Sequence, residues 1–202
     1  MSRKNTREAI VEMADRLFYE HGYEHSSFAD IGDAVGISRG NFYYHFRTKD
    51  EILEAVIGRR LEQTAALLAQ WNQESPAPRE RIARFIEILI TNQAKIMQHG
   101  CPVGTLCGEL AKLDHPFLPM ANQLFSLFRD WLSRQFVALG RADADVLAMH
   151  LLVRSQGVAV LANAFRDEAF VRREVRMACD WLDGELSREP VKIQASATSP
   201  TV

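Results

Sequence analysis

A chain of 202 residues, 47% hydrophobic and 25% charged, has ample apolar material for one large domain or two small ones. Its net charge of −2 excludes a surface that binds nucleic acid all over, so any such site must be local. Three cysteines and no secretion signal predict reduced thiols in a cytoplasm, and no apolar run of about 18 residues marks a membrane span. The first helix carries Ile10, Ala14, Leu17 and Phe18 as one stripe at helical spacing. Ser27 and Asp30 make an S-x-x-D start for a short second helix with Phe28, Ile31 and Val35 inward, and Gly36 ends it. Ser38 caps a third helix on which Phe42 and Phe46 stand one turn apart. Thr48 and Glu51 form a T-x-x-E capping box that opens a long fourth helix through about Trp71. After the loop ESPAPRER, Pro78 starts a fifth helix expected to reach His99, where Gly100 and Pro102 interrupt it. A short helix to Leu113, a break at Asp114-His115-Pro116 and an apolar helix over 117–139 follow. Two last helices span about 143–165 and 168–187, and the small, polar stretch 188–202 predicts a disordered tail. The fold class is all-α, with about nine helices and no alternating strand pattern.

Helices two and three, joined by Ala34-Val35-Gly36-Ile37, read as a helix-turn-helix, with Gly36 for the turn and Ile37 plugging the small core. With Phe42 and Phe46 buried, Tyr43 and Tyr44 sit about 100° and 200° further round and point outward. Arg39 and Gly40 lie one turn before them. The outward face is therefore basic, aromatic and partly bare backbone. A phosphate-lined groove wants such a surface, because Arg and Lys neutralise phosphates, Tyr hydroxyls donate to them, and glycine admits a base edge. Lys49, in the first turn of the fourth helix, stands where unpaired N–H groups also attract an anion. The alternative is that Tyr43 and Tyr44 merely cover the fourth helix. Over residues 1–60 nine Lys/Arg face ten Asp/Glu, yet Arg3, Lys4 and Arg7 form one acid-free cluster and Arg39, Arg47 and Lys49 another.

Residues 6–53 resemble the DNA-binding domain of the tetracycline-repressor (TetR) family of bacterial regulators. The likeness rests on a first helix ending at His21-Gly22-Tyr23, followed by F-x-x-I-x-x-x-x-G-I-S-R-G-x-F-Y-Y-H-F-x-x-K. The resemblance implies that Arg39 and Gly40 approach bases, while Ser27, Ser38, Asn41, Tyr43, Tyr44, His45 and Lys49 hold phosphates. His45 has the alternative of packing on the fourth helix. It further implies a DNA-binding domain over 1–50 and a helical ligand-binding and dimerisation domain over 51–187. The expected partner is double-stranded DNA with a pseudo-palindromic operator, bound by a homodimer in the cytoplasm.

The last two helices are the expected dimer seam. Val171, Val175, Ala178 and Leu182 make one apolar stripe, with Phe170, Met177 and Trp181 beside it. The helix before them is rich in small residues (Ala144, Ala148, Ser155, Gly157, Ala159, Ala162) that allow close approach. For a small-molecule inducer, expected pocket walls are Phe85, Ile88, Leu89, Asn92, Met97, Cys101, Leu106, Phe125, Phe128, Trp131, Gln156 and Phe165. The segment HGCPVGTLCGEL, residues 99–110, resembles one found in a subset of the family, some of which sense electrophiles through a cysteine. Cys101 is expected to cap the helix begun by Pro102, which favours thiolate. Cys101, Cys107, His99 and His115 lack metal-ligand spacing, so no metal and no cofactor are expected. A helical thiol enzyme using Cys101 with His99 or His115 would lack an organising acid, so the reading is a regulator and not an enzyme.

Overall fold

The computed structural model describes residues 3–187, and the expected tail over 188–202 lies outside them. Where the sequence places a capping residue, a helix begins. α1 (Arg3–His21), α2 (Phe28–Val35), α3 (Arg39–His45), α4 (Lys49–Glu74) and α5 (Pro78–Thr91) are followed by α6 (Gln93–His99), α7 (Pro102–Lys112), α8 (Leu118–Ala138), α9 (Ala144–Phe165) and α10 (Glu168–Leu186). No strand occurs among the described residues. The expected helix over 78–99 is broken at Asn92, which has φ −105° and ψ 10° and divides α5 from α6. Its side-chain amide donates to the Ile88 carbonyl at 3.2 Å, competing with the helical ladder as Asn does. Counting α5 and α6 as one broken helix gives nine among the described residues.

Two apolar cores share the molecule. The head core gathers Ile10, Ala14 and Phe18 of α1 around Ile31 of α2 and Phe42 of α3, all buried. The body core is built on Trp71, Phe85, Trp131 and Phe136, with the inward faces of α9 and α10 closing it. α4 supplies both, giving Ile52, Leu53, Val56 and Ile57 to the head and Leu68 and Trp71 to the body. Leu106, Cys107 and Leu110 of α7 and Ala121 of α8 also belong to the head core. Each large apolar side chain so buried contributes roughly 1.5–3 kcal/mol.

α9 has two characters. Ala144, Ala148, Ser155, Ala159 and Ala162 are buried within the chain, among the aromatic and aliphatic residues of the body core. The small residues expected at a dimer seam therefore serve internal packing, with Gly157 the exposed exception. The opposite face carries Val146, Val153 and Val160, which are 67%, 63% and 65% exposed. Among the described residues α9 is the one helix long and apolar enough to cross a membrane by length and composition. It also bears Asp145, His150, Arg154 and Gln156, and its buried side is core.

Arg141 fastens the α8–α9 turn to the end of α10. Its guanidinium, 5% exposed, donates from Nε and Nη2 to both Asp143 oxygens at 2.9 and 2.8 Å and from Nη1 to the Glu185 carbonyl. These hydrogen bonds hold the Asp143 carboxyl below the ordinary carboxylate range. Arg141→Ala should cost about 3 kcal/mol in denaturant melts, because the carboxylates of Asp143 and of Glu185, the latter 3.4 Å from Nη2, lose their partner. A depressed folded pKa contributes stability that is complete above the unfolded value of about 3.9 and lost as pH falls through the lowered one. Melts taken through that acid range should show this loss in the native chain and not in the Arg141→Ala variant.

Candidate nucleic-acid interface

α2 and α3 are short, so their ends matter as much as their faces. Ser27 Oγ accepts from the Asp30 N–H at 3.2 Å while Asp30 Oδ2 accepts from the Ser27 N–H at 2.8 Å, a reciprocal cap at the start of α2. The same bonds lower the Asp30 carboxyl below its usual range. Gly36, at φ 72°, closes α2 in the left-handed conformation and donates to the carbonyls of Gly32 and Asp33. Ser38 caps α3 by accepting from the Asn41 N–H at 3.4 Å. Thr48 Oγ1 accepts from the Glu51 N–H at 3.1 Å, but the Glu51 carboxylate reaches back one residue further than a capping box requires, to the Arg47 N–H at 2.7 Å.

Burial sorts the aromatic run of α3 as its helical spacing predicts. Phe42 and Phe46 are 3% and 2% exposed, whereas Tyr43 and Tyr44 are each 57% exposed. Phe28 meets Phe42 edge-on at 4.9 Å between centroids and carries Tyr43 stacked at 5.6 Å. Tyr43 therefore packs on α2, and both tyrosines stand largely open to solvent. His45 is half-buried with its ring edge-on to Tyr44. Ser27, Ser38, Arg39, Gly40 and Asn41 are exposed, and a Cβ built on Gly40 would meet nothing within 4 Å. Neither backbone conformation nor packing within this chain calls for glycine at position 40. Arg7, of the first acid-free basic cluster, lies in the first turns of α1 with its guanidinium 4.7 Å from the Phe46 ring centre.

Lys49 is placed differently from the expectation. Its ammonium turns inward, donating to the carbonyls of Tyr23 and Glu24 at 3.0 and 3.3 Å and lying 4.2 Å from the Tyr23 ring centre. The Tyr23 hydroxyl in turn donates to Asp50 Oδ1 at 2.5 Å. Burial and the neighbouring Asp50 raise the Tyr23 phenol. No local pattern announces this arrangement, since its partners are 25 to 27 residues apart.

Most expected pocket walls meet in the body core. Phe85, Leu89 and Trp131 are buried, and Ile88, Met97, Cys101, Phe125 and Phe128 are half-buried against them. The Phe85 and Phe128 rings are 5.6 Å apart. Gln156 Nε2 donates to Cys101 Sγ at 3.5 Å. Three expected walls stand elsewhere. Leu106 is in the head core because it falls on the side of α7 that faces α1 and α4. Asn92 is exposed at the α5–α6 break. Phe165 is 69% exposed at the last turn of α9, where Arg166 at φ 53° redirects the chain. A void of about 10 Å³ lies beside Phe85, Leu89 and Ser155, room for about one water. A larger open groove of about 580 Å³ runs between α5 and α10, lined by Glu87, Thr91, Arg176, Cys179 and Asp180 and by none of the expected walls.

Residues 10–56 match the family model of bacterial regulatory proteins of the tetR family. The chain is 32% identical over 169 residues to an uncharacterized HTH-type transcriptional regulator in the lacX 3′ region of Lactococcus lactis subsp. lactis, covering 81% of this chain and 86% of that one. It is 29% identical over 133 residues to the HTH-type transcriptional repressor BepR of Brucella suis biovar 1, covering 61% of this chain and 62% of that one. The fold superposes on the crystal structure of a TetR transcriptional regulator from Legionella pneumophila with a TM-score of 0.79 and 27% identity, covering 90% of this chain and 97% of that one.

The division of α3 into a buried and an exposed face has a direct thermodynamic expression. Phe42→Ala should destabilise the head by roughly 3–5 kcal/mol, the range for a buried phenylalanine. Tyr44→Ala should stay within about 0.5 kcal/mol of the native chain, as surface changes do. Urea melts followed by circular dichroism would check both, and a large loss in Tyr44→Ala would make that ring part of the core.

Proposed function

Because this chain belongs to the tetR family of bacterial regulatory proteins and is a helix-turn-helix transcriptional regulator, we propose that it is a repressor released from a pseudo-palindromic operator by a small-molecule inducer. The observation that carries this reading is the outward face of α3, where two tyrosines stand 57% exposed beside Arg39 and an unobstructed Gly40. No acid occurs between Arg39 and Lys49. Arg39 and the backbone at Gly40 meet base edges in the major groove, while Ser27, Ser38, Asn41, Tyr43, Tyr44 and His45 meet phosphates. Lys49 serves this face indirectly, by holding the turn in front of Ser27.

A repressor of a palindrome works as a two-fold dimer in the cytoplasm, and the exposed stripe of α9 supports one. Val146, Val153, Gly157 and Val160 run the length of that helix, with Met149 and Leu161 at its flanks and Trp181 of α10 beside it, stacked on His150. A continuous apolar strip on a single chain marks an interaction surface. Two copies joined there would present two α3 helices to half-sites about 34 Å apart. The inducer enters the body core along its half-buried edge of Ile88, Met97, Phe125 and Phe128, whose side chains part to admit it.

A second reading, a thiol-based electrophile or redox sensor, is favoured by the surroundings of Cys101. Its sulfur caps α7, accepting from the Gly104 N–H and from Gln156 Nε2, each at 3.5 Å. Burial pushes the Cys107 thiol up to about 11 and raises that of Cys179 as well. Alkylation at neutral pH should therefore be fastest at Cys101 and should release DNA, a release that Cys101→Ser abolishes. Equal rates at all three cysteines would leave Cys101 a packing residue.

The operator reading is tested with a duplex that the native protein selects from a random-sequence pool. Affinity for it should fall steeply between ~50 and ~200 mM salt, as counterion release demands. Gly40→Ala should raise the stability of α3 by up to ~1 kcal/mol, because alanine is the better helix former. It should nonetheless weaken binding on the order of tenfold, the scale of one lost base-edge contact. Titration and thermal melts read the two effects separately, and undiminished affinity in Gly40→Ala would sink the docking of α3 proposed above.

A further inference from the structure

The turn between α1 and α2 has no helix of its own to satisfy it, and two side chains from other parts of the chain do so. The carboxylate of Glu109, on α7, accepts from the Tyr23 N–H with Oε2 and from the Glu24 N–H with Oε1, both at 2.8 Å. The carbonyls of the same two residues accept from Lys49. Gly22, at φ +90°, bends the chain around the carboxylate so tightly that a Cβ there would stand 3.0 Å from Glu109 Oε1. Ser26 completes the turn, donating from Oγ to the Gly22 carbonyl at 2.7 Å, and Ser27 follows as the cap of α2. A consecutive pair of N–H groups thus grips one carboxylate, and charge-assisted bonds of this kind are about twice as strong as neutral ones.

The other end of α7 is held to the head as well. Arg60 donates from Nε to Asp15 of α1 at 2.6 Å and from Nη1 to the Pro102 carbonyl at 2.7 Å. Leu106 and Cys107, between these two ties, and Leu110, just past the second, lie in the head core. By its contacts α7 is part of the DNA-facing head, although its sequence place is in the body.

From this geometry we propose that Glu109 is a positioning residue for DNA recognition: by clamping the Tyr23 and Glu24 N–H groups it sets the angle at which α2, and α3 packed on it through Phe28 and Phe42, meets the groove. The proposal rests on the docking of α3 argued above. In this role Glu109 acts through the turn it holds rather than by touching DNA.

The test uses the full-length protein, its Glu109→Gln and Glu109→Ala variants, and the duplex selected by the native chain. Glu109→Gln keeps one acceptor oxygen but sets an amide NH₂ against the second N–H. It should remain folded at the binding temperature by circular dichroism. Its Tyr23 and Glu24 amides should exchange with solvent on the order of tenfold faster, and its affinity should fall by a similar factor, the worth of one charge-assisted hydrogen bond. Glu109→Ala should do the same or more, and if it fails to fold the glutamine variant decides. A merely structural role would lower the melting temperature and leave the affinity of the folded protein alone. Affinity within about twofold of native in a folded Glu109→Gln, with or without faster exchange, overturns the proposal. If the native protein selects no duplex at all, the operator reading fails separately, and unchanged exchange at the two amides in Glu109→Gln would then overturn the clamp independently.

Discussion

A seven-residue helix cannot sustain itself in water, and α3 is that short. It exists because Phe42 and Phe46 are anchored in the head core and Ser38 closes its first turn. Once those two rings are fixed at their spacing, helical geometry leaves the intervening side chains no choice of direction. The exposure of Tyr43 and Tyr44 is thus a by-product of anchoring, and so is the openness of Arg39, Gly40 and Asn41. Everything the head offers to a partner follows from which residues had to be surrendered to the core.

Local signals in the sequence located nearly every boundary. Ser27 with Asp30, Gly36, Ser38, Thr48, Pro78 and Pro102 act on their own turns, so their meaning survives without knowledge of the fold. The break at Asn92 was hidden because it needs neither glycine nor proline, only an amide side chain competing for a carbonyl. Lys49 reads as an outward charge because it stands in the first turn of α4, where unpaired N–H groups attract an anion, but the carbonyls that draw it inward lie 25 and 26 residues back. Glu109 left no trace for the same reason, with its N–H partners 85 and 86 residues away. Polar groups that satisfy someone else's backbone cannot be recognised by periodicity.

The misplacement of Leu106 and of the small residues on α9 has a common physical source. Apolar spacing shows that a side chain is buried, and it does not show against what. α7 has one apolar side and two cores within reach, and it joined the head. α9 has two apolar sides, and the small one went inward because α8 brings Trp131, Leu132 and Phe136 close against it. The β-branched side was left outside, where a lone chain gains nothing from it. The head and the outer side of α9 are therefore linked through one continuous layer of packed helices, α9 to α8 to α7 to α1.

The distribution of aromatic residues gives the molecule a division of labour in light. All four tyrosines, at 19, 23, 43 and 44, belong to the head, and all three tryptophans, at 71, 131 and 181, belong to the body. Trp71 and Trp131 are paired at 5.6 Å deep in the core, with the Trp131 indole N–H held by Asn72. Trp181 stands apart, stacked at 4.4 Å on His150 at the border of the exposed α9 stripe. Emission excited at the red edge of the ultraviolet spectrum therefore comes from the body alone, and its accessible fraction from a single indole. Tyrosine absorbance, by contrast, samples the head, with the two rings of α3 open to solvent and those of Tyr19 and Tyr23 drawn in. One unlabelled sample carries separate optical reporters for the two ends of the protein.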